Sequence, residues 1–128
     1  MRYLLDTCSF IWLCSEPDQL TEPVSEIIDD GDSDLLLSDA SALEIAYKWT
    51  AGKIGLPSPP RQWIERQISE WSLTGLRLTR GDIYRTTELP EYHKDPFDRL
   101  LVAVALNNNL TIITPDKAVC AYPVACVW

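Results

Sequence analysis

The chain reads as an α/β protein, with a short and mostly parallel central sheet and helices on both faces. Three observations carry this. Short apolar runs such as "RYLL", "DLLL" and "LTII" alternate with longer stretches of helical period, the order in which strands and crossover helices follow each other in a parallel sheet. At 128 residues the chain is long enough to bury a core without staples. No repeat, low-complexity tract or linker divides it, so one domain spanning residues 1–128 is expected.

The elements follow in order. "RYLLD" (Arg2 to Asp6) is a buried strand ending on an acid. "TEPVSEIIDDGD" carries the signals of a helix: Thr21 as N-cap, Pro23 in the first turn, Glu26 nearby and Gly31 as the stop. "DLLLSD" is a second strand. In the following "ASALEIAYKWTAGKIGLP", Ala42, Ile45, Ala46 and Trp49 share one helical face before Gly52, Gly55 and Pro57 break it. "PPRQWIERQISEWSL" is an amphipathic third helix with Trp63, Ile64, Ile68 and Trp71. "GLRLT" is a strand, and "RGDIYRTTELPEYH" a short helix halted before Pro90. The helix opening at "DPFDRLLVAVAL", the strand "LTIIT" and a final strand in "YPVACVW" complete the set.

Composition removes several classes. Apolar residues make up 46% and charged residues 23%, ordinary for a globular protein. No apolar run approaches the ~20 residues of a membrane-spanning helix. The N-terminal "MRYLLDTCSFIWLC" has an acid at position 6 and no small-residue cleavage site, so it reads as a first strand rather than an export signal. A cytoplasmic chain is therefore expected, with Cys8, Cys14, Cys120 and Cys126 as reduced, mostly buried thiols. With no C-x-x-C and one histidine, zinc is not expected. The net charge of −8, from 19 acids against 11 bases, lacks the basic stripe of a simple DNA-binding module. It leaves room for an enzyme whose acids hold cations that then meet phosphate.

The acids are placed unusually. Asp6 ends the first strand, Asp116 follows "LTIIT", and Asp95 and Asp98 stand at the start of a helix with Pro96 in its first turn. Glu44 lies early in the helix after "DLLLSD". In an open parallel sheet, ligands collect at the carboxyl ends of strands, where these residues would converge. Each has a structural explanation alone, as a cap, a turn residue or a solvated side chain. Together they repel one another, and a shared cation removes the repulsion. Oxygen ligands suit Mg²⁺ or Mn²⁺, and two such ions about 4 Å apart would organise in-line attack of water on a phosphodiester.

The motifs "YLLDT", "SALEIAYKWTAGKIGLP" and "HKDPFDRLLVAVAL", followed by "LTIITPDKAV", resemble the PIN domain, and within it the VapC-type toxins of bacterial toxin–antitoxin systems. The resemblance runs in order from Tyr3 to Trp128. It implies a compact α/β/α sandwich and a Mg²⁺- or Mn²⁺-dependent endoribonuclease that cleaves structured RNA. It also implies a cognate VapB-type antitoxin covering the acidic cleft, and a homodimer. Carried over residue by residue, Asp6, Glu44, Asp98 and Asp116 are the catalytic and metal-holding acids. Asp98 is preferred to Asp95, which becomes an auxiliary acid beside Thr7 and Thr114. Val104 stands where many relatives carry a polar residue, often Gln, a departure that bears on specificity rather than chemistry.

Against the acidic total, Arg99, Lys53 and Lys117, with Lys48 and Lys94, are the bases close enough in sequence to the acids to contact RNA phosphate. His93 is read as structural, and no Ser/His/Asp or Cys/His set competes. Five tryptophans, Trp49, Trp63 and Trp71 among them, suit a core and a partner surface. Two rival classes remain: another metal-dependent phosphoesterase or DNA nuclease, and a PIN-like scaffold that binds without catalysis.

Overall fold

A computed structural model describes residues 1–128. Five strands form one sheet: β1 (Arg2–Leu5), β2 (Asp34–Ser38), β3 (Thr74–Leu76), β4 (Thr111–Ile113) and β5 (Cys126–Val127). Their order is β3-β2-β1-β4-β5, and every pairing is parallel. Six helices connect them: α1 (Thr7–Ser15), α2 (Glu22–Asp29), α3 (Asp39–Thr50), α4 (Pro60–Glu70), α5 (Arg80–Thr86) and α6 (Pro96–Asn108). The sheet is thus wholly parallel; α-helices make the crossovers except between β4 and β5, where the chain returns through a short 3-10 turn at Val119–Ala121.

The period of two in the strands divides the core. Leu4, Leu36 and Ile112 point to one face and pack with Leu101–Ala105 of α6, Leu110, Val119 and Tyr122. Leu5, Leu35, Leu37 and Ile113 point to the other, against Phe10 and Leu13 of α1, Val24 of α2 and Trp63 and Ile64 of α4. Helix α3 contributes Ala40 to the first cluster and Ile45 to the second, so it closes the end of the sheet where the acids lie.

Some expectations change. Helix α1 adds to the expected elements; "TCSFIWLCS" is apolar on nearly every side and carries no helical stripe. Of the Ala42, Ile45, Ala46 and Trp49 stripe of α3, Ile45 is core and Ala42 and Ala46 are half-buried, but α3 turns Ala40, Ser41 and Glu44 inward and leaves Trp49 40% exposed. Trp71 is likewise exposed, whereas Trp63 is core. The last strand shrinks to Cys126–Val127, because Pro123 lacks an N–H and a tight turn carries Val124 N–H to Tyr122 O at 2.7 Å. No cysteine is bonded to another, but none is buried: Cys8 and Cys120 are exposed, Cys14 and Cys126 half-buried. Cys14 and Cys126 pack at the margins of the two core clusters, and Cys8 borders the cavity beside Glu44.

Two left-handed residues end the helices that frame the cleft. Gly52 closes α3 at φ 71°, with Lys53 N–H donating to Lys48 O at 2.8 Å. Asn109 closes α6 at φ 53°, a conformation asparagine tolerates.

Candidate active site

Each acid is delivered by the end of an element. Asp6 follows β1 and caps α1, its Oδ1 accepting from Ser9 N–H at 2.7 Å. The Asp6 N–H still donates to Ile113 O at 3.2 Å, so the carboxylate stands at the carboxyl edge of the sheet. Asp95 caps α6, accepting at Oδ1 from Phe97 N–H (2.8 Å) and Asp98 N–H (3.3 Å). With Asp95 committed to the cap, Asp98 in the first turn is left facing the cleft. Asp116 follows β4 in a turn held by Asp116 N–H to Thr114 Oγ1 (3.0 Å) and Ala118 N–H to Asp116 Oδ1 (2.8 Å). The Thr114 hydroxyl also acts on Asp6, favouring its ionised form against burial. Thr7 turns away and donates to Ser41 Oγ at 3.0 Å, tying α1 to α3.

Glu44 is, with Asp6, one of the two buried acids of the set, its side chain 7% exposed. Its Oε2 accepts from Lys48 Nζ at 2.5 Å, one turn on, while Oε1 is buried and has no donor. A buried carboxylate oxygen without a partner is costly unless something outside the chain supplies one.

His93, read from sequence as structural, stands inside this cluster. Its Nε2 lies 2.8 Å from Asp116 Oδ2 and 3.2 Å from Asp98 Oδ2, and the three ligand atoms fall within 4.8 Å of one another. Its Nδ1 accepts from Asp95 N–H at 3.0 Å, so the ring carries its proton on Nε2, toward the acids. The sequence signal for this was present in "HKDPFD": a histidine two residues before the cap folds back over the helix start.

The charges report their crowding. Burial first, then Asp95, Glu44 and Asp6, push Asp98 up to about 7, with His93 opposing. Burial also raises Asp6, and Asp116 adds to it against the hydrogen bonds from Ser9 and Thr114. Burial would raise Asp116 as well, but the hydrogen bond from His93 and the Ala118 N–H hold it below its ordinary value. Burial and the neighbouring acids push the Cys8 thiol up to about 11, which keeps it from serving as a thiolate nucleophile.

The bases divide differently from expectation. Arg99 is turned inward: its guanidinium donates to the carbonyls of Thr86 (2.6 Å), Pro90 (2.8 Å) and Leu89 (3.3 Å) and to Tyr122 Oη (3.0 Å). It ties the end of α5 to α6, and its donors are spent on backbone rather than held out for phosphate. Lys48 and Lys53 line the cleft beside Glu44, and Lys117 is exposed next to Asp116.

A parallel sheet between two helical layers, with acids from β1, α3, α6 and β4 gathered at one carboxyl edge, defines an α/β protein with an acidic cleft. The model of the PIN domain family matches residues 3–124, and the chain belongs to that family. It is similar to Ribonuclease VapC22 of Mycobacterium tuberculosis, at 29% identity over 115 residues, 89% of this chain and 86% of that protein. Among solved structures it resembles VapBC2 from Rickettsia felis bound to a DNA fragment from their promoter, with a TM-score of 0.74 at 17% identity over 100% of this chain and 99% of that one. FitAcB from Neisseria gonorrhoeae gives 0.64 at 20% identity, over 98% and 96%. At these identities the two structures speak to the fold alone. No helix is long and apolar enough to cross a membrane.

Proposed function

We propose that this chain is a divalent-metal-dependent endoribonuclease and the toxin of a toxin–antitoxin pair, cleaving structured RNA in the cytoplasm. The observation that carries the reading is the convergence of Asp6, Glu44, Asp98 and Asp116, with one Glu44 oxygen buried and unpartnered and Asp98 pushed up to about 7. The ribonuclease VapC22 and the VapBC complexes among the similar proteins support it. The donor set is oxygen-rich and anionic, which fits Mg²⁺ or Mn²⁺. Asp6, Asp98 and Asp116 would hold the ion, and Asp95 and Thr114 orient them. When bound, such an ion acidifies water and stabilises charge developing on the phosphate.

The chain's own groups do the rest. Glu44 Oε1 is an acceptor for a proton of the attacking water. His93 holds Asp98 and Asp116 in register through its Nε2–H. Lys48, Lys53 and Lys117 meet the RNA backbone. A VapB-type antitoxin would cover the cleft, and the toxin would act as a homodimer.

The test is incubation of antitoxin-free protein with a pool of transfer and ribosomal RNA, with Mg²⁺ or Mn²⁺, with chelator, and as Asp98→Asn. Discrete fragments that need the ion and vanish in the variant establish the reading. Folded protein that binds the ion and leaves every RNA intact defeats it.

A further inference from the structure

The cleft extends past Glu44 into a cavity of about 300 Å³ whose apolar wall the chemistry above does not use. Its apolar wall is Ile11 and Trp12 of α1, Ile45 of α3 and Ile54 of the turn after α3. Lys48 and Lys53 stand in its lining, and Glu44, nine-tenths buried with its free oxygen, connects it to the cleft. The left-handed Gly52 brings Lys53 back over the end of α3, so this pairing of a lysine with an isoleucine is built by the helix cap.

We propose that this cavity is a nucleotide subsite, taking one unpaired RNA base beside the bond that is cut. The base lies against Trp12 and the isoleucines, and its phosphate meets Lys48 and Lys53. This rests on the ribonuclease reading and adds to it where a base is read. The occupant follows from the mixture of walls. A flat, mostly apolar body with polar edges and an attached anion is what an aromatic–aliphatic wall beside two ammonium groups suits. An apolar protein side chain would fill the isoleucine wall without using the lysines. Lys53 pairs with no acid, and Lys48, held by Glu44, keeps further ammonium donors, so both bases can meet an anion at this cavity. The volume lies at the small end of ligand sites, room for one base rather than a folded element.

The experiment starts from the RNA fragment that the unaltered protein cleaves. The same fragment is then made with an abasic ribose at each position flanking the cut, in turn. Loss of the stacked base is expected to raise KM about 5- to 150-fold at one flanking position, with kcat changed far less. Ile54→Glu, in a half-exposed turn, is expected to raise KM on intact RNA but to add little on the RNA abasic at that position. A KM indifferent to every abasic substitution overturns the subsite and leaves the nuclease standing. Effects of Ile54→Glu and the abasic position that simply multiply also overturn it. Should the variant fail to fold, the abasic series on the unaltered protein decides alone. Absence of any cleavage defeats the ribonuclease reading and the subsite with it.

Discussion

His93 Nε2 lies 2.8 Å from Asp116 Oδ2, and this contact is the main reason Asp116 remains readily ionised among other acids. Burial alone would raise that carboxyl, so removing the imidazole should let it rise. In His93→Ala, with chelator present, carboxyl-detected NMR should show Asp116 titrating at higher pH than in the unaltered protein. An unchanged titration would mean that the ring does not bear on Asp116 in solution.

Asp98 gives the protein a pH dependence opposite in sign to the usual carboxylate. Its folded-state value rises from 3.8 to about 7, chiefly by burial and then by Asp95. Between those values the folded chain keeps a proton that the unfolded chain has released. This group's contribution is therefore fully present below the unfolded value and is lost as pH rises through about 7. Metal-free protein should show a lower urea midpoint at about pH 8 than at about pH 5, and Asp98→Asn should flatten the difference. A divalent ion should restore more stability at the higher pH. A midpoint that climbs steadily across this range in chelator, and equally in the variant, contradicts the assignment.

The parts of this architecture that were legible in sequence are those with a local signal. Thr21 caps α2 through Val24 N–H, Asp95 caps α6, and the strands "RYLL", "DLLL" and "TII" read as apolar runs. Because strand ends and helix starts were readable, so were the positions of Asp6, Glu44, Asp98 and Asp116 relative to one edge. The rest depends on tertiary structure. Helix α1 has no polar stripe because its outer residues pack in the cleft and against the C-terminus, as Trp12 does on Trp128 with ring centroids 5.7 Å apart. Arg99 looks like a phosphate contact in a linear motif, and only the fold shows the end of α5 standing over it. For His93 the local motif gives only its place before the cap, and its role appears once β4 and α6 bring Asp116 and Asp98 together.

Arg99 should therefore matter for stability before it matters for RNA. Its donors reach three carbonyls and the Tyr122 hydroxyl, and charged hydrogen bonds of this kind contribute about 1.5–3 kcal/mol. Lysine has no planar fork to reach them together. Arg99→Lys should lower the unfolding free energy by about 2 kcal/mol in urea, while the RNA affinity of the folded fraction changes little. A variant of full stability with weakened RNA binding would return Arg99 to the substrate surface.

Val104 tests the same distinction from the opposite side. The sequence departure there suggested an altered contact with substrate or partner, but the side chain is 0% exposed. It packs in the layer between α6 and the sheet, with Leu4, Leu36 and Ile112 in the same cluster. In those apolar surroundings a glutamine would bring an amide that finds no donor or acceptor, and two more heavy atoms than the packing holds. Val104→Gln should cost about 1–3 kcal/mol in a urea titration and leave the set of RNA fragments as it was. The reverse result, an unchanged midpoint with a new fragment pattern, would place residue 104 at the substrate. Valine at this position would then be a choice of RNA rather than a choice of core.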